Sequence, residues 1–313
     1  MLDLDLPPQL RLLAAAWATL FGAAVGSFLN VVIARVPEGQ SIVRPRSRCP
    51  RCGVPIAWYD NVPVVSFLIL RARCRACQSP ISWRYPLVEA LVAVAGYLGF
   101  ERHGLTVAAA AELGLVAVLV ALTFIDLDRW LLPHVLTKPL IGAGLLAAVF
   151  HLSAATSSDS AILGAAVGGG LFWAIHAGGE RIFKKEAMGE GDVWLLAAIG
   201  AWLGLRALLP VLLLSSSQGA VVGIVQLLLG RGQTGLPAAG AGDEGQHATL
   251  QGPAPSAAAA PAPTLAGGAV AEDDWVPPRH SVPFGPFLAL AALEWLYLAA
   301  PLSHAVPLLR PFL

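Results

Sequence analysis

Apolar residues fill eight stretches of the chain, near 12–34, 86–102, 105–125, 134–152, 161–178, 192–206, 207–229 and 284–303, and charged residues are scarce inside them. An α-helix rises about 1.5 Å per residue, so about 20 such residues cross the roughly 30 Å of hydrocarbon in a bilayer. The pattern predicts an all-α polytopic membrane protein with about eight transmembrane helices. The sixth stretch is short and runs almost directly into the seventh, which leaves that boundary the least defined.

Two longer segments break the apolar pattern. Residues 35–85 hold all four cysteines, several prolines and the aromatic residues Trp58, Tyr59, Trp83 and Tyr85, and read as a small folded module. Residues 231–282 are dominated by Ala, Gly and Pro, which bury too little apolar surface to offset their ordering entropy, so a disordered loop is expected there. The polar run SAATSSDS at 153–160 suits a brief turn between helices four and five. The chain thus divides into a first transmembrane helix (1–34), the four-cysteine module (35–85), a transmembrane core (86–230), the Ala/Gly/Pro-rich loop (231–282) and a last transmembrane helix with its tail (283–313). The first ten residues contain Asp3 and Asp5 but no basic residue, and no small-residue cleavage site follows the apolar run. The first helix is therefore expected to be retained rather than removed as a secretory signal.

Composition agrees with the pattern. The 313 residues are 56% hydrophobic and 13% charged, against roughly 25% charged in ordinary soluble domains. The net charge is zero, but its distribution is uneven. Arg35, Arg44, Arg46, Arg48, Arg51, Arg71, Arg73, Arg75 and Arg84 all fall between the first two apolar stretches, opposed there only by Glu38 and Asp60. Basic residues collect in cytoplasmic loops, so the module is expected in the cytoplasm beside anionic lipid headgroups. Alternation across eight helices then brings 126–133, 179–191 and 230–283 to the same side, and both termini to the other. Arg181, Lys184 and Lys185 agree with that assignment.

Against this background two acidic residues need explaining, because a charge at the bilayer centre costs about 2.5–3.5 kcal/mol on insertion scales. Asp126 closes the third apolar run in ALTFIDLDRWLLP, and Asp192 opens the sixth in MGEGDVWLLAAIG. Topology places both at the cytoplasmic membrane boundary, where they can meet. Two close carboxyl groups sharing one proton polarise a peptide carbonyl and activate water, which is aspartyl protease chemistry. Gly189 and Gly191 permit backbone conformations and close approach that an extended substrate requires. The competing reading is that Asp192 merely caps its helix, since an anionic side chain favours a helix N-terminus. It suits Asp126 poorly, at a helix C-terminus. Asp128, a loop residue beside Arg129, is a third candidate with solvation or pairing as its ordinary fate.

Cys49-x-x-Cys52 and Cys74-x-x-Cys77 lie 21 residues apart, a spacing that lets each pair grip one side of a tetrahedral metal ion, as in zinc ribbons. Two disulfides are the alternative, disfavoured in the reducing cytoplasm. Four thiolates close the coordination shell, so zinc here would be structural.

Taken together, Gly189, Gly191, Asp192, Asp126 and Pro133 resemble the pattern of the bacterial type IV prepilin peptidases. The stretches GSFLNVVIARVP (26–37), RCPRCGVPIAWYDNVPVVSFL (48–68), RCRACQSPISWRYPLVEAL (73–91) and PFGPFLAL (283–290) match the same family. The resemblance implies a membrane aspartyl endopeptidase that removes the leader of type IV prepilins or pseudopilins, cutting after a glycine. It further implies N-methylation of the new N-terminal residue, often Phe, with S-adenosylmethionine as methyl donor. The partners it implies are pilin precursors and the bilayer of the bacterial inner membrane, with no nucleic acid. His134 stands where the family usually has Asp or Asn, and Trp194 where a Lys is common. No methyl-donor motif is readable; Glu89 is either a contact for that reaction or a helix-end carboxylate paired with Arg84.

Other polar residues in the spans have two readings each. Glu112 is a proton or substrate contact or a carboxyl packed between helices, and His176 a ligand or base or a packing residue. Gly22 and Gly26, and Gly164 and Gly168, recur at the four-residue spacing that lets helices pack closely. The rival function is an ion or proton transporter, since intramembrane carboxylates line ion pathways. A non-catalytic pilin-assembly factor is a third reading.

Overall fold

A computed structural model of the chain describes residues 7–155, 157–183, 189–229 and 283–312. The expected disordered loop at 231–282, Asp3, Asp5, Lys184 and Lys185 lie outside the described residues. Most described residues belong to one compact unit, while 223–229 belong to a second that spans 223–281.

Nine α-helices and three short 3-10 turns run through the described residues, with no strands among them: α1 (Pro8–Arg35), α2 (Val65–Ile69), α3 (Arg84–His103), α4 (Val107–Arg129), α5 (His134–Val149), α6 (Ser158–Phe183), α7 (Glu190–Leu203), α8 (Leu205–Leu228) and α9 (Gly285–Ala305). All but the short α2 fall on the eight apolar stretches. By length and composition, four segments suffice to cross a membrane: Pro8–Glu38, α4, Ser158–Gly179 and α8. Helix α5 and Gly285–Ala299 are apolar but shorter.

The uncertain boundary between the sixth and seventh stretches falls at one residue. Gly204 ends α7 with φ +83°, a backbone region that L side chains rarely enter, and α8 starts at the next residue. Helix α7 has only 14 residues, about 21 Å at the usual rise. It is short because it is central. From Asp192 to Leu203 every residue except Trp194 is buried, and α5, α6 and α9 pack around it. A helix that is apolar all round belongs in a core. Helix α4 links the two apolar cores: Leu115, Leu119 and Leu122 join α7 and α9, whereas Val116, Val120 and Ile125 join α1 and α3.

The small residues do what their spacing suggested. On α1 and α3, Gly22 faces the carbonyl of Val92 and Gly96 faces that of Ala18. A Cβ on Gly26 would lie 2.7 Å from Cα of Glu89. Gly164 of α6 and Gly200 of α7 oppose each other, each pressed on the other's carbonyl. Such contacts let backbone dispersion replace the hydrophobic drive that lipid removes. Gly200→Ala is expected to lower stability by about 1–3 kcal/mol through overpacking, read as an earlier thermal transition in detergent. Gly114→Ala, where the added methyl meets nothing within 4 Å, is the matched control and should leave that transition in place.

Candidate active site and metal centre

Helix α4 runs one turn further than the apolar pattern implied, so Asp126 and Asp128 are helical rather than terminal or in a loop. The Trp130 N–H closes that turn on the Asp126 carbonyl at 2.9 Å. The Asp126 side chain is only 5% exposed and accepts a hydrogen bond from the backbone N–H of Gly285. Gly285 is the first residue of α9, where the N–H groups have no partner within the helix. A carboxylate at the unfavourable end of α4 thereby gains the favourable end of α9.

Asp192 is the third residue of α7, with its N–H on the Gly189 carbonyl at 3.1 Å. Gly189 is the N-cap, and no side chain makes a capping hydrogen bond there. Asp192 therefore makes no capping hydrogen bond, although its place in the first turn keeps the favourable helix field. Its side chain, 8% exposed, instead faces Asp126 closely enough for the two carboxyl groups to interact electrostatically.

Leu132 sets the spacing of this junction. A Cβ on Gly191 would fall 2.6 Å from the Leu132 Cβ, and one on Gly285 would fall 2.5 Å from Oδ2 of Asp126 and 3.2 Å from Cδ1 of Leu132. The glycines are thus needed for close approach rather than for unusual conformations. Gly189 has an ordinary φ of −62°, and Gly191 is not among the positive-φ residues. In the sequence Gly285 stands only as part of PFGPFLAL, and a glycine between Phe284 and Pro286 at the start of an apolar run is the one signal it offers.

Two ion pairs brace the last turn of α4 from both ends of the cysteine module. Asp128 pairs with Arg84 at the start of α3, and Arg129 with Glu38 just after α1. Of the two readings of Glu89, the pairing with Arg84 is thereby excluded. Glu89 is 8% exposed and its carboxylate accepts the N–H of Val64 at 2.7 Å and a bond from Ser27, so it ties the module to the helices.

The positions that depart from the family pattern meet at the rim. His134 and Trp194 stand edge to face with ring centroids 6.3 Å apart. Trp194 Nε1 donates to Glu190 at 3.1 Å, and Lys138 Nζ lies 4.8 Å from the Trp194 ring centroid. His176 of α6 is within electrostatic range of Glu190.

Buried acids are not confined to the aspartate end. Glu112 is 6% exposed and lies 2.8 Å from His103 Nε2 and 3.3 Å from Arg102, toward the opposite end of the bundle. The packed-carboxyl reading of Glu112 fits this pairing. Glu294, absent from the sequence reading, bonds Gln218 at 2.6 Å between α8 and α9.

In the module, the cysteines form two matching knuckles. Cys49 N–H bonds the Val54 carbonyl and Gly53 N–H the Cys49 carbonyl; Cys74 N–H bonds the Ser79 carbonyl and Gln78 N–H the Cys74 carbonyl, each at 2.9 Å. All four cysteines are free thiols, and their Sγ atoms lie within 4.8 Å of one another. Cys49 and Cys77 Sγ are 3.9 Å apart, close to the roughly 3.8 Å edge of a tetrahedron of thiolates about 2.3 Å from a central ion. The backbone N–H groups of Cys52 and Arg51 hold the Cys49 thiol down at about 6, and the Ser79 hydroxyl and N–H lower Cys77. Desolvation and the neighbouring Cys49 and Cys77 thiols instead raise Cys52 to about 11, so without a metal only part of the cluster is held toward the thiolate.

Comparison with known proteins adds to this geometry. Residues 20–102 match the model of the bacterial peptidase A24 N-terminal domain, and residues 113–224 that of the type IV leader peptidase family. A prepilin leader peptidase/N-methyltransferase of Myxococcus xanthus is 45% identical over 97% of this chain and 96% of its own. Proteins of the same name from Aeromonas hydrophila and Pseudomonas aeruginosa are 44% and 39% identical, over 67% and 70% of this chain and 80% and 82% of their own. No solved structure matches.

The cysteine geometry predicts one tetrahedral metal per chain. Cobalt added to the metal-free protein should give thiolate charge-transfer bands that saturate at one equivalent and disappear in Cys49→Ser. Saturation at a different ratio, or bands that survive the substitution, speaks against a four-thiolate centre.

Proposed function

The chain belongs to the type IV leader peptidase family, and from that premise we propose that Asp126 and Asp192 are the catalytic pair of its leader peptidase activity. It is a membrane enzyme that removes leader peptides and N-methylates the residue exposed by the cut. The observation that carries the catalytic assignment is the meeting of two carboxyl groups, each more than nine-tenths buried, from α4 and α7 beside the N-terminus of α9.

In the reaction we assign to them, one carboxylate takes a proton from a water molecule held between the pair, and that water attacks the scissile carbonyl. The protonated partner donates a hydrogen bond to the carbonyl oxygen as negative charge develops there. The Gly285 N–H fixes the Asp126 carboxylate, and Leu132 keeps α7 and α9 at one separation from it. The proton then passes to the leaving amine. A new N-terminus remains on the pilin, ready for a methyl group.

The substrates are prepilins or pseudopilins, with S-adenosylmethionine as the methyl co-substrate. We read α3, α5, α7 and α9 as spans beside the four longer ones, and the enzyme as a protein of the bacterial inner membrane, a reading that the four long apolar helices support. The arginine-rich module and the aspartates share one end of the bundle through the Arg84–Asp128 pair, and the positive-inside rule supports a cytoplasmic position for that end. The leader is then cut at the cytoplasmic boundary. The metal we assign to the four thiolates is zinc in a closed, structural shell, holding the module.

Purified protein in detergent should shorten a prepilin, and Asp126→Asn or Asp192→Asn should each reduce that rate at least roughly a hundredfold. Precursor shortened at the wild-type rate by both variants rules the pair out. A finer expectation separates the two glycines. Gly191→Ala pushes Leu132 away and should slow cleavage by about a hundredfold, as misplacement near 1 Å does. Gly189→Ala has its nearest neighbour at 3.9 Å and should cleave near the wild-type rate.

A further inference from the structure

The four-cysteine module carries an apolar face that the proposed reaction leaves unused. Helix α2 buries Ser66 and Phe67 and exposes Val65, Leu68 and Ile69, the last two by 64% and 70%. These three residues share one side of the helix by their i, i+3, i+4 spacing. Trp83, 71% exposed, packs edge-on against Phe67 with ring centroids 4.7 Å apart.

Trp83 is also the residue before α3, so the face does not stop at the module. It continues along α3 through the exposed Leu87, Leu91 and Val94, which follow at helical spacing and form the outward stripe of a helix we read as membrane-spanning. The start of α2 is fixed against that helix as well. Val64 holds φ +60°, a region costly for a β-branched residue, and the buried Glu89 carboxylate of α3 accepts its N–H.

Charge borders the face. Arg71 and Arg73 follow α2 directly and are exposed. Neither forms an ion pair with a described residue, whereas Arg75 is taken by Asp60 and Arg84 by Asp128.

We propose that α2 and Trp83 form an interfacial foot, with Val65, Leu68, Ile69 and Trp83 set into the boundary between acyl chains and headgroups of the bilayer that α1 and α3 cross. Arg71 and Arg73 lie on its anionic headgroups. The inference rests on the membrane reading above. Both ends of the module are helix ends at one membrane face, so the foot needs no translation to reach lipid. Tryptophan at a span boundary and arginines beside an apolar helical face are the composition that an anionic interface selects. Docked in this way, the foot holds the module down beside the last turn of α4, which carries Asp126.

The test places a photoreactive benzoylphenylalanine at Leu68, or in a second variant at Ile69, in the full chain reconstituted into phosphatidylglycerol/phosphatidylethanolamine vesicles. Irradiation should produce phospholipid adducts at either position, detected by mass spectrometry, well above those from the same probe at the exposed Gln78. Arg71→Glu combined with Arg73→Glu should reduce the adduct by roughly fivefold in these vesicles, and have no effect in phosphatidylcholine. Lipid adduct no greater than at Gln78, or adduct that moves to the prepilin when it is added, overturns the foot. Prepilin cleavage is measured in the same samples. Cleavage without lipid adduct sinks the foot and leaves the peptidase reading standing, whereas adduct without cleavage does the opposite.

Discussion

A carboxylate withdrawn from water among apolar helices is costly unless its oxygens find partners, and this protein buries two of them at one junction. Much of the surrounding structure follows from that constraint. Asp126 sits near the end of α4 where the helix field repels it, and the junction answers with the first N–H of α9. Asp192 lies in the first turn of α7, where the field is favourable. To bring α9 that close, position 285 must be glycine, and to bring α7 against the α4–α5 link, position 191 must be glycine as well. The same burial that makes the pair expensive gives it the low-dielectric surroundings that the proposed mechanism uses, since hydrogen bonds to developing charge are strongest there.

The remaining helices hold this junction in place. Helix α7 is buried on nearly every side, so it faces other helices rather than lipid, and it acts as the post around which α5, α6 and α9 pack. Its contact with α6 is set by Gly164 and Gly200, backbone against backbone, so the α7 helix that carries Asp192 has little freedom to slide. On the other side, the last turn of α4 is held by ion pairs to the two ends of the cysteine module. Exposed pairs of this kind contribute little stability individually. Their value is positional, because they fix the turn that carries Asp126 from two directions. The module therefore has a mechanical link to the aspartates through these two pairs, separate from its cluster of four thiols.

Much was legible in the sequence because it depends on local pattern. The eight longer helices follow from apolar runs, the four-cysteine cluster from two Cys-x-x-Cys pairs, and the proximity of Asp126 and Asp192 from their places at the ends of apolar runs. Close helix packing followed from glycines four residues apart. Each of these is read over a few turns of chain, where spacing maps directly onto geometry.

What only the tertiary structure decided involves partners far apart in the chain. Sequence reasoning put Asp128 in a loop and offered Arg84 as one of two roles for Glu89; the fold extends α4, pairs Arg84 with Asp128, and leaves Glu89 to the Val64 N–H. Gly285 lies 159 positions after Asp126, and nothing local to either residue says that one N–H meets the other's carboxylate. His134 and Trp194 were noted separately as departures, and only the packing of α5 on α7 shows that they touch. Glu112 and Glu294 were equally undecidable, since a buried acid's meaning depends on which helix supplies its partner. Hydrophobic periodicity determines which residues are inside, but it carries no information about which buried polar groups will face one another.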